Sequence, residues 1–199
     1  DVVDIVGRYV QLRKGGRRRD TMWHNTTWGL TCAPPEDWKI LPLDPADAEE
    51  MDLLKLESKE HPDFHIEVSV YQLPHTDIDM EDVVMGVQDE IQQSHMDVDI
   101  SATDMHFPFL GREDASYFKS CYTVLEGEES SCEGGREECH TVMFLLEGRL
   151  LRVTLEVAAA ADGQEKEKAY IVWRSMLESF SLDEEKWVRA ELRLSDSPE

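Results

Sequence analysis

The second half of the chain constrains the fold more than any other part of the sequence. Three successive stretches lie between Ala115 and Val157, separated by turns at Glu126 to Glu138 and at Gly148. The first stretch is rich in aromatic and β-branched residues, and apolar residues occupy every second position in the other two. This period of two predicts strands with one buried face, joined as an antiparallel meander. Apolar residues then recur at helical spacing, at Ala169, Val172, Trp173, Met176, Leu177 and Phe180. A meander that runs directly into an amphipathic helix favours an α+β fold.

Shorter elements precede the meander. The pattern predicts strands over residues 28–32, 38–41, 53–58, 65–73 and 98–102, and a helix from Met80 to about Ser94 with Asp79 as its N-cap. A chain of 199 residues is long enough to bury a core without metal or disulfide support. We therefore predict an α/β domain of the α+β type, in which a largely antiparallel central sheet carries helices on both faces.

The N-terminal segment reads as a helical arm in front of this domain. Val2, Ile5, Val6, Tyr9 and Val10 form one apolar stripe, and two glycines follow Lys14. A helix of this length is marginal in water by itself, so the stripe predicts that the arm packs either on its own domain or on a neighbouring chain. The second alternative would give a homo-oligomer formed through the arm. The predicted organisation is therefore an arm and linker over 1–27, a sandwich domain over 28–182 and a helical tail over 183–199.

The charge of the chain narrows the classes of partner. There are 43 Asp and Glu against 20 Lys and Arg, a formal net charge of −23. A surface of this sign repels phosphate backbones, which disfavours nucleic-acid binding by the main domain. It suits cationic partners, although high solubility is the simpler interpretation. No apolar run approaches the roughly 18 residues of a transmembrane helix. The predicted protein is soluble, and cytoplasmic and exported locations both stay open.

The four cysteines allow one candidate disulfide. Cys132 and Cys139 flank a turn-like Glu-Gly-Gly-Arg-Glu-Glu insert, whose closure would bring their sulfurs together. Two free thiols in a reducing compartment are an equal alternative, because spacing alone does not establish pairing.

Sequence motifs for catalysis are absent. There is no Gly-x-Ser-x-Gly elbow, phosphate loop, dinucleotide fingerprint or His-Glu-x-x-His motif. His61 and His65 are four residues apart but flank a predicted strand, where such residues lie about 13 Å from each other. We therefore predict no catalytic residues, no metal site and no cofactor.

Three tryptophans are the candidate binding residues. Trp23, Trp28 and Trp38 cluster near the entry of the predicted domain. They are interpreted first as core anchors, and alternatively as the lining of a recognition groove, because large aromatic side chains often dominate binding surfaces.

Residues 28–182 resemble the sandwich family that includes the photosystem II subunit PsbP, the Ran-binding protein Mog and the bacterial lipoprotein DcrB. The resemblance rests on Gly29-Leu30, on Pro35-Glu-Asp-Trp38, on the helix after Asp79, and on the meander and helix that end in Ser179-Phe180. It implies a bacterial, non-catalytic binding or accessory module that recognises another protein, such as an adaptor or chaperone. The competing hypothesis is a small-ligand or metal-binding enzyme, which needs a cavity that gathers two or more titratable groups.

A second resemblance is local. Residues 1–32 are similar to the start of the bacterial DnaG primase zinc domain. In this chain Cys32 is followed by Ala-Pro-Pro, and the paired histidine and the downstream Cys-x-x-Cys of that domain are missing. A tetrahedral zinc site needs four ligands, so this resemblance implies no metal here.

Overall fold

The computed structural model describes residues 8–14, 18–43, 51–124 and 135–190, with side chains from Thr21 onward. The elements, in chain order, are β1 (Arg8–Lys14), β2 (Arg18–Asn25), β3 (Leu30–Cys32), β4 (Trp38–Ile40), β5 (Asp52–Ser58), β6 (His65–Gln72), α1 (Met80–Ser94), β7 (Met96–Phe109), β8 (Arg112–Thr123), β9 (Arg136–Leu146), β10 (Arg149–Ala158), α2 (Gly163–Glu178), β11 (Ser181–Leu182) and α3 (Glu184–Arg189). They belong to two compact units. The first unit is Asp1–Ala33 with Ser179–Glu199, and the second unit is Pro34–Glu178.

The second unit is built on a seven-stranded sheet of order β4-β5-β6-β10-β9-β8-β7. Every neighbouring pair in this sheet is antiparallel. Helix α1 lies on one face, where Val83, Val84 and Ile91 pack with Phe118 and Met143 of the sheet. Helix α2 lies on the opposite face, where Trp173 contacts Tyr117 and His140. The prediction of a largely antiparallel sheet with helices on both faces is therefore confirmed.

Two tight hairpin turns set the register of the meander. Glu147 and Gly148 have φ angles of 52° and 70°, and Leu110 and Gly111 have φ angles of 52° and 74°. Positive φ at both central residues is the signature of a two-residue type I′ turn, whose twist matches that of the flanking strands. The turn at Glu147-Gly148 pairs Leu146 with Arg149, and this pair fixes the register of all other pairs between β9 and β10.

Strand β7 forms one edge of the sheet and is irregular along its length. Its pairing with β8 shifts register four times between Met96 and Phe109. Asp97 and Ala102 lie in the left-handed region, with φ angles of 52° and 54°. These features mark β-bulges, which bend and twist an edge strand.

The N-terminal segment of the first unit forms β-strands where the sequence predicted a helical arm. Its sheet has the order β1-β2-β3-β11, and β1 pairs with β2 from Arg8 with His24 to Lys14 with Arg18. The predicted helical arm is therefore wrong over Arg8–Lys14, and β2 occupies most of the predicted linker. The two strands are three residues apart, and a short glycine-rich connection is typical of hairpins. Residues 1–7 lie outside the described ranges, and a homo-oligomer formed through this segment stays a prediction.

A glycine makes the close contact between β3 and α3 in the first unit. Gly29 has a φ angle of 68°, and its carbonyl accepts a hydrogen bond of 2.9 Å from the backbone N–H of Asp183. Asp183 is the N-cap of α3, because its carboxylate accepts from the backbone N–H of Lys186 at 3.2 Å. Trp28 packs beside Trp187 of α3, with ring centroids 5.3 Å apart. Part of the predicted C-terminal tail is thus helical, and residues 191–199 lie outside the described part.

No helix within the described ranges combines the length and the apolar character needed to cross a membrane.

Candidate functional site

A cavity of about 130 Å³ opens on the α1 face of the seven-stranded sheet. We call it the polar pocket, because most of its lining side chains carry hydrogen-bonding or titratable groups. The residues that line it are Glu67, Ser69, Tyr71, Ile91, His95, Ser120, Tyr122, Cys139, Arg152, Thr154 and Glu156.

Strand register brings the polar pocket together. Cys139 on β9 lies directly opposite Glu156 on β10 and Ser120 on β8. Side chains two residues apart on a strand share a face, so Glu137 points to the same side as Cys139. The acceptor and sulfur atoms of Glu137, Cys139 and Glu156 all lie within 4.8 Å of one another. The sheet therefore concentrates two carboxyl groups and a thiol at one end of the pocket.

Burial controls the protonation of these groups. It raises the pKa of Glu156 well above its usual range, and the carboxyl groups of Glu67 and Glu137 raise it further. Burial likewise raises the pKa of Glu67, against the favourable charge of Lys55. The pKa of the Cys139 thiol is raised in the same way, first by burial and then by Glu156 and Glu137. The raised pKa values favour the protonated forms of Glu67, Glu156 and Cys139.

These protonation states disfavour nucleophilic catalysis by Cys139. A thiol attacks as its thiolate, and reactive cysteines sit in electropositive, partly exposed surroundings. Cys139 is 5% exposed, and its sulfur lies 3.5 Å from the hydroxyl of Tyr122. Burial also raises the pKa of Tyr122, whose ring stacks on His95 with centroids 3.9 Å apart. The pocket therefore holds a buried thiol between a protonated phenol and carboxyl groups.

A second cavity of about 130 Å³ lies beside Trp38, and we call it the Trp38 notch. Its lining comes from the segment before β4, from the β5–β6 connection and from α2. The residues are Pro35, Glu36, Asp37, Trp38, Ser58, Glu60, His61, Phe64, Glu165, Lys168, Ala169 and Val172.

The Trp38 notch combines aromatic rings with an acidic rim. Four carboxyl groups line it against one lysine. Lys168 pairs with Glu60 at 2.9 Å and His61 with Glu165 at 3.5 Å, while Glu36 and Asp37 are exposed. The rim is therefore negative even after these ion pairs are counted.

The structure separates the three candidate tryptophans. Trp23 and Trp28 belong to the first unit and are 2% and 4% exposed, as expected for core anchors. Trp38 belongs to the second unit, is 9% exposed and lines the notch. Cys132 of the candidate disulfide lies outside the described residues. The pairing of Cys132 with Cys139 therefore stays a prediction.

The α2 face holds a third cluster of titratable groups, which is a packed network. Nδ1 of His140 lies 2.8 Å from the hydroxyl of Tyr117, and Nε2 lies 3.1 Å from the Glu138 carboxylate. A carboxylate can only accept, so Nε2 donates to Glu138. Lys119 and Lys166 also pair with Glu138, at 3.4 and 3.3 Å. These contacts join β8, β9 and α2, which favours a structural role.

We expect Glu138→Gln to lower the free energy of unfolding at pH 7 by about 2 kcal/mol. The hydrogen bond from His140, aided by Lys119 and Lys166, lowers the pKa of Glu138 to about 2. A lowered carboxyl pKa stabilises the folded state above the unfolded value, and this stabilisation is lost as the pH falls towards 2. Urea unfolding at pH 7 and pH 3 measures the difference. The exposed Glu90→Gln is the control, and equal effects of the two variants would contradict the role of the network.

Several solved structures share the fold of this chain. Cyanobacterial PsbP from Synechocystis sp. PCC 6803 aligns at a TM-score of 0.54 and 14% identity, over 86% of this chain and 98% of that one. The Ran-binding protein Mog1p of Saccharomyces cerevisiae aligns at 0.55 and 10% identity, over 83% and 96%. The chain has the PsbP/Mog fold.

LpqN of Mycobacterium tuberculosis, a protein involved in cell envelope biogenesis, also shares the PsbP/Mog fold. It aligns at a TM-score of 0.52 and 15% identity, over 77% of this chain and 82% of that one. No protein-family model and no curated protein matches the sequence. The predicted PsbP/Mog likeness is thus confirmed by structure, while the likenesses to DcrB and to the primase zinc domain stay predictions.

Proposed function

We propose that the protein is a non-catalytic binding module that receives a cationic side chain of a partner protein in the Trp38 notch. The observation that carries the proposal is the composition of this notch, in which Trp38 and Phe64 lie within a rim of carboxyl groups. An arginine or lysine side chain gains from cation–π contact with Trp38, which is 9% exposed while Phe64 is 1% exposed, and from ion pairing at the rim.

The size of the notch fits one side chain. Sites for drug-sized ligands and organic cofactors span about 300–1,000 Å³, whereas the notch measures about 130 Å³. A long basic side chain of a polypeptide fills such a volume while the rest of the partner lies on the surrounding surface. The net charge of −23 would steer a basic partner towards this surface and raise the association rate.

The PsbP/Mog fold supports the class of function but not the partner. Mog1p is a Ran-binding protein by its own description. Function resides in sites and not in folds, so that partner does not carry over to a chain with 10% identity. The proposal for this protein rests on the acidic rim and the tryptophan of the Trp38 notch.

Charge reversal tests the proposal without disturbing the core. The probe is a short peptide with a central arginine, and the control peptide carries citrulline, a neutral isostere, at that position. We expect the arginine peptide to shift the NMR signal of the Trp38 indole and the citrulline peptide to leave it unchanged. In Glu36→Lys/Asp37→Lys, affinity for the arginine peptide should fall at least tenfold, because both carboxylates are lost from the rim.

A matched variant separates the notch from the overall charge. Glu113→Lys/Asp114→Lys makes the same change in net charge at two exposed positions on the β7–β8 hairpin. It should bind the arginine peptide with nearly wild-type affinity. If both double variants lose binding equally, the attraction is a general property of the acidic surface and the notch is not the site.

The alternative, a small-ligand or metal-binding enzyme, has one observation in its favour. The polar pocket gathers several titratable groups, as that hypothesis requires. Its volume of about 130 Å³ leaves room for an ion or a very small molecule.

A further inference from the structure

We propose that Glu137, Cys139 and Glu156 form a binding site for Zn²⁺ at the end of the polar pocket. The site lies on a different set of residues from the Trp38 notch and does not depend on the function proposed for it. Its starting point is the grouping of one sulfur and two carboxylate oxygens within 4.8 Å.

The geometry is close to that of a metal-bound state. Zinc binds sulfur at about 2.3 Å and carboxylate oxygen at about 2.0–2.2 Å in a tetrahedron, which places neighbouring ligand atoms about 3.4–3.6 Å apart. Side-chain movements of about 1 Å would therefore bring the three groups onto one ion. Cys139 and Glu156 are directly paired across β9 and β10, so the backbone already holds two of the ligands in register.

A second observation points to a missing ligand in the same place. The hydroxyl oxygen of Ser120 is buried, and it has no hydrogen-bond partner among the described residues. Ser120 is 1% exposed, lines the polar pocket and lies opposite Cys139 in the strand register. A buried hydroxyl without a partner costs free energy. A metal ion, or a water molecule bound to it, would supply that partner and complete the fourth position.

The donor set selects the type of metal. Thiolate ligands favour zinc over magnesium and calcium, which prefer oxygen ligands exclusively. Metal binding releases the protons of its ligands, and the resulting thiolate and two carboxylates carry three negative charges, against two positive charges on the ion. Arg152 lines the same pocket and supplies the remaining positive charge. Glu137 and Cys139 are 4% and 5% exposed, whereas Glu156 is only half-buried and faces the cavity through which an ion would enter.

The site competes with the candidate disulfide for one sulfur. If Cys139 pairs with Cys132, its thiolate is not available to a metal, so zinc binding requires reducing conditions. The experiment is therefore carried out on the full chain in a phosphine reductant, with Zn²⁺ titrated calorimetrically and Co²⁺ used as a spectroscopic substitute.

We expect one equivalent of Zn²⁺ to bind, and bound Co²⁺ to show the near-ultraviolet charge-transfer band of a cobalt–thiolate bond. Cys139→Ser should abolish this band and weaken Zn²⁺ binding at least tenfold. Glu156→Gln should weaken binding to a similar extent while keeping the band at saturating Co²⁺. Cys121→Ser and Cys132→Ser are the matched controls, and both should keep the band.

Circular dichroism of each variant distinguishes loss of a ligand from loss of folding. If Cys139→Ser is unfolded, the folded Glu156→Gln variant and the two cysteine controls decide the question. The proposal is overturned if the reduced wild-type protein binds no Zn²⁺, if the band persists in folded Cys139→Ser, or if Cys132→Ser abolishes it.

Discussion

Trp173→Ala is expected to lower the free energy of unfolding of the second unit by about 3–5 kcal/mol. Trp173 is fully buried in the middle of α2 and contacts Tyr117, His140 and Tyr170. Removing its indole leaves a cavity between the helix and the sheet, which the surrounding strands can close only in part. Calorimetry should show a fall in melting temperature of about 10 °C or more.

Trp173→Phe is the matched control for this prediction. The indole N–H of Trp173 is buried and has no hydrogen-bond partner among the described residues. Phenylalanine retains most of the ring contact and removes this unsatisfied donor, so the expected loss is below about 1.5 kcal/mol. If the two variants lose equal free energy of unfolding, the indole N–H must have a hydrogen-bond partner, and the loss of that bond rather than the cavity explains the destabilisation.

Gly29→Ala is expected to destabilise the first unit by about 2–4 kcal/mol. Two effects add at this position. The φ angle of 68° is unfavourable for any residue with a Cβ atom, and that atom would lie 2.9 Å from the Cβ and carbonyl oxygen of Asp183. The start of α3 would have to move, although Trp28 and Trp187 hold it in place. Near-ultraviolet circular dichroism during urea unfolding should report the loss through these two rings.

Gly111→Ala separates the two effects. Gly111 has a similar φ angle of 74°, but an added Cβ would meet no atom within 4 Å. It should therefore show the backbone penalty of about 1–2 kcal/mol without the steric one. If Gly29→Ala costs no more than Gly111→Ala, the approach of Asp183 is not the reason for a glycine at position 29.

The elements with strong local signals were predictable from the sequence. The predicted helix from Met80 to Ser94 has the bounds of α1, because Asp79 caps it and accepts from the N–H of Asp82 at 2.9 Å. The last two strands of the meander were predictable because apolar residues occupy every second position in the sequence, even though residues 139–144 of β9 are all buried. Strand β7 was predicted only from Val98 to Ala102, because its bulges and exposed residues interrupt the alternation beyond that point.

The arm shows where local pattern misleads. Valine, isoleucine and tyrosine favour strands as much as they fit a helical stripe, and Arg8–Lys14 offers few residues on which to distinguish the two periods. Pairing with Arg18–Asn25 decides the outcome, and this contact is tertiary. The local propensity of a segment is a weak effect and is easily overridden by such tertiary pairing.

The polar pocket was available in the sequence but was missed. A two-residue turn at Glu147-Gly148 pairs Leu146 with Arg149, and counting back from it places Cys139 opposite Glu156. Alternation then adds Glu137 to the same face. The sequence offers Cys139 as a disulfide partner of Cys132 and predicts a turn that extends to Glu138, and this interpretation does not combine the thiol with the carboxyl groups. For the Trp38 notch, the sequence predicted Trp38 as a candidate binding residue but did not predict the carboxyl groups around it.

The irregular edge strand β7 affects how copies of this protein behave when they are crowded together. A long, flat edge offers a row of backbone groups on which another chain can add a strand, and such edges start aggregation. In β7 the bulges at Asp97 and Ala102 break that row, and Asp99 and Asp104 add like charges that repel a second copy. We therefore expect concentrated samples to stay free of ordered aggregates, and a partner that joins this sheet edge by strand addition would meet the same obstacle.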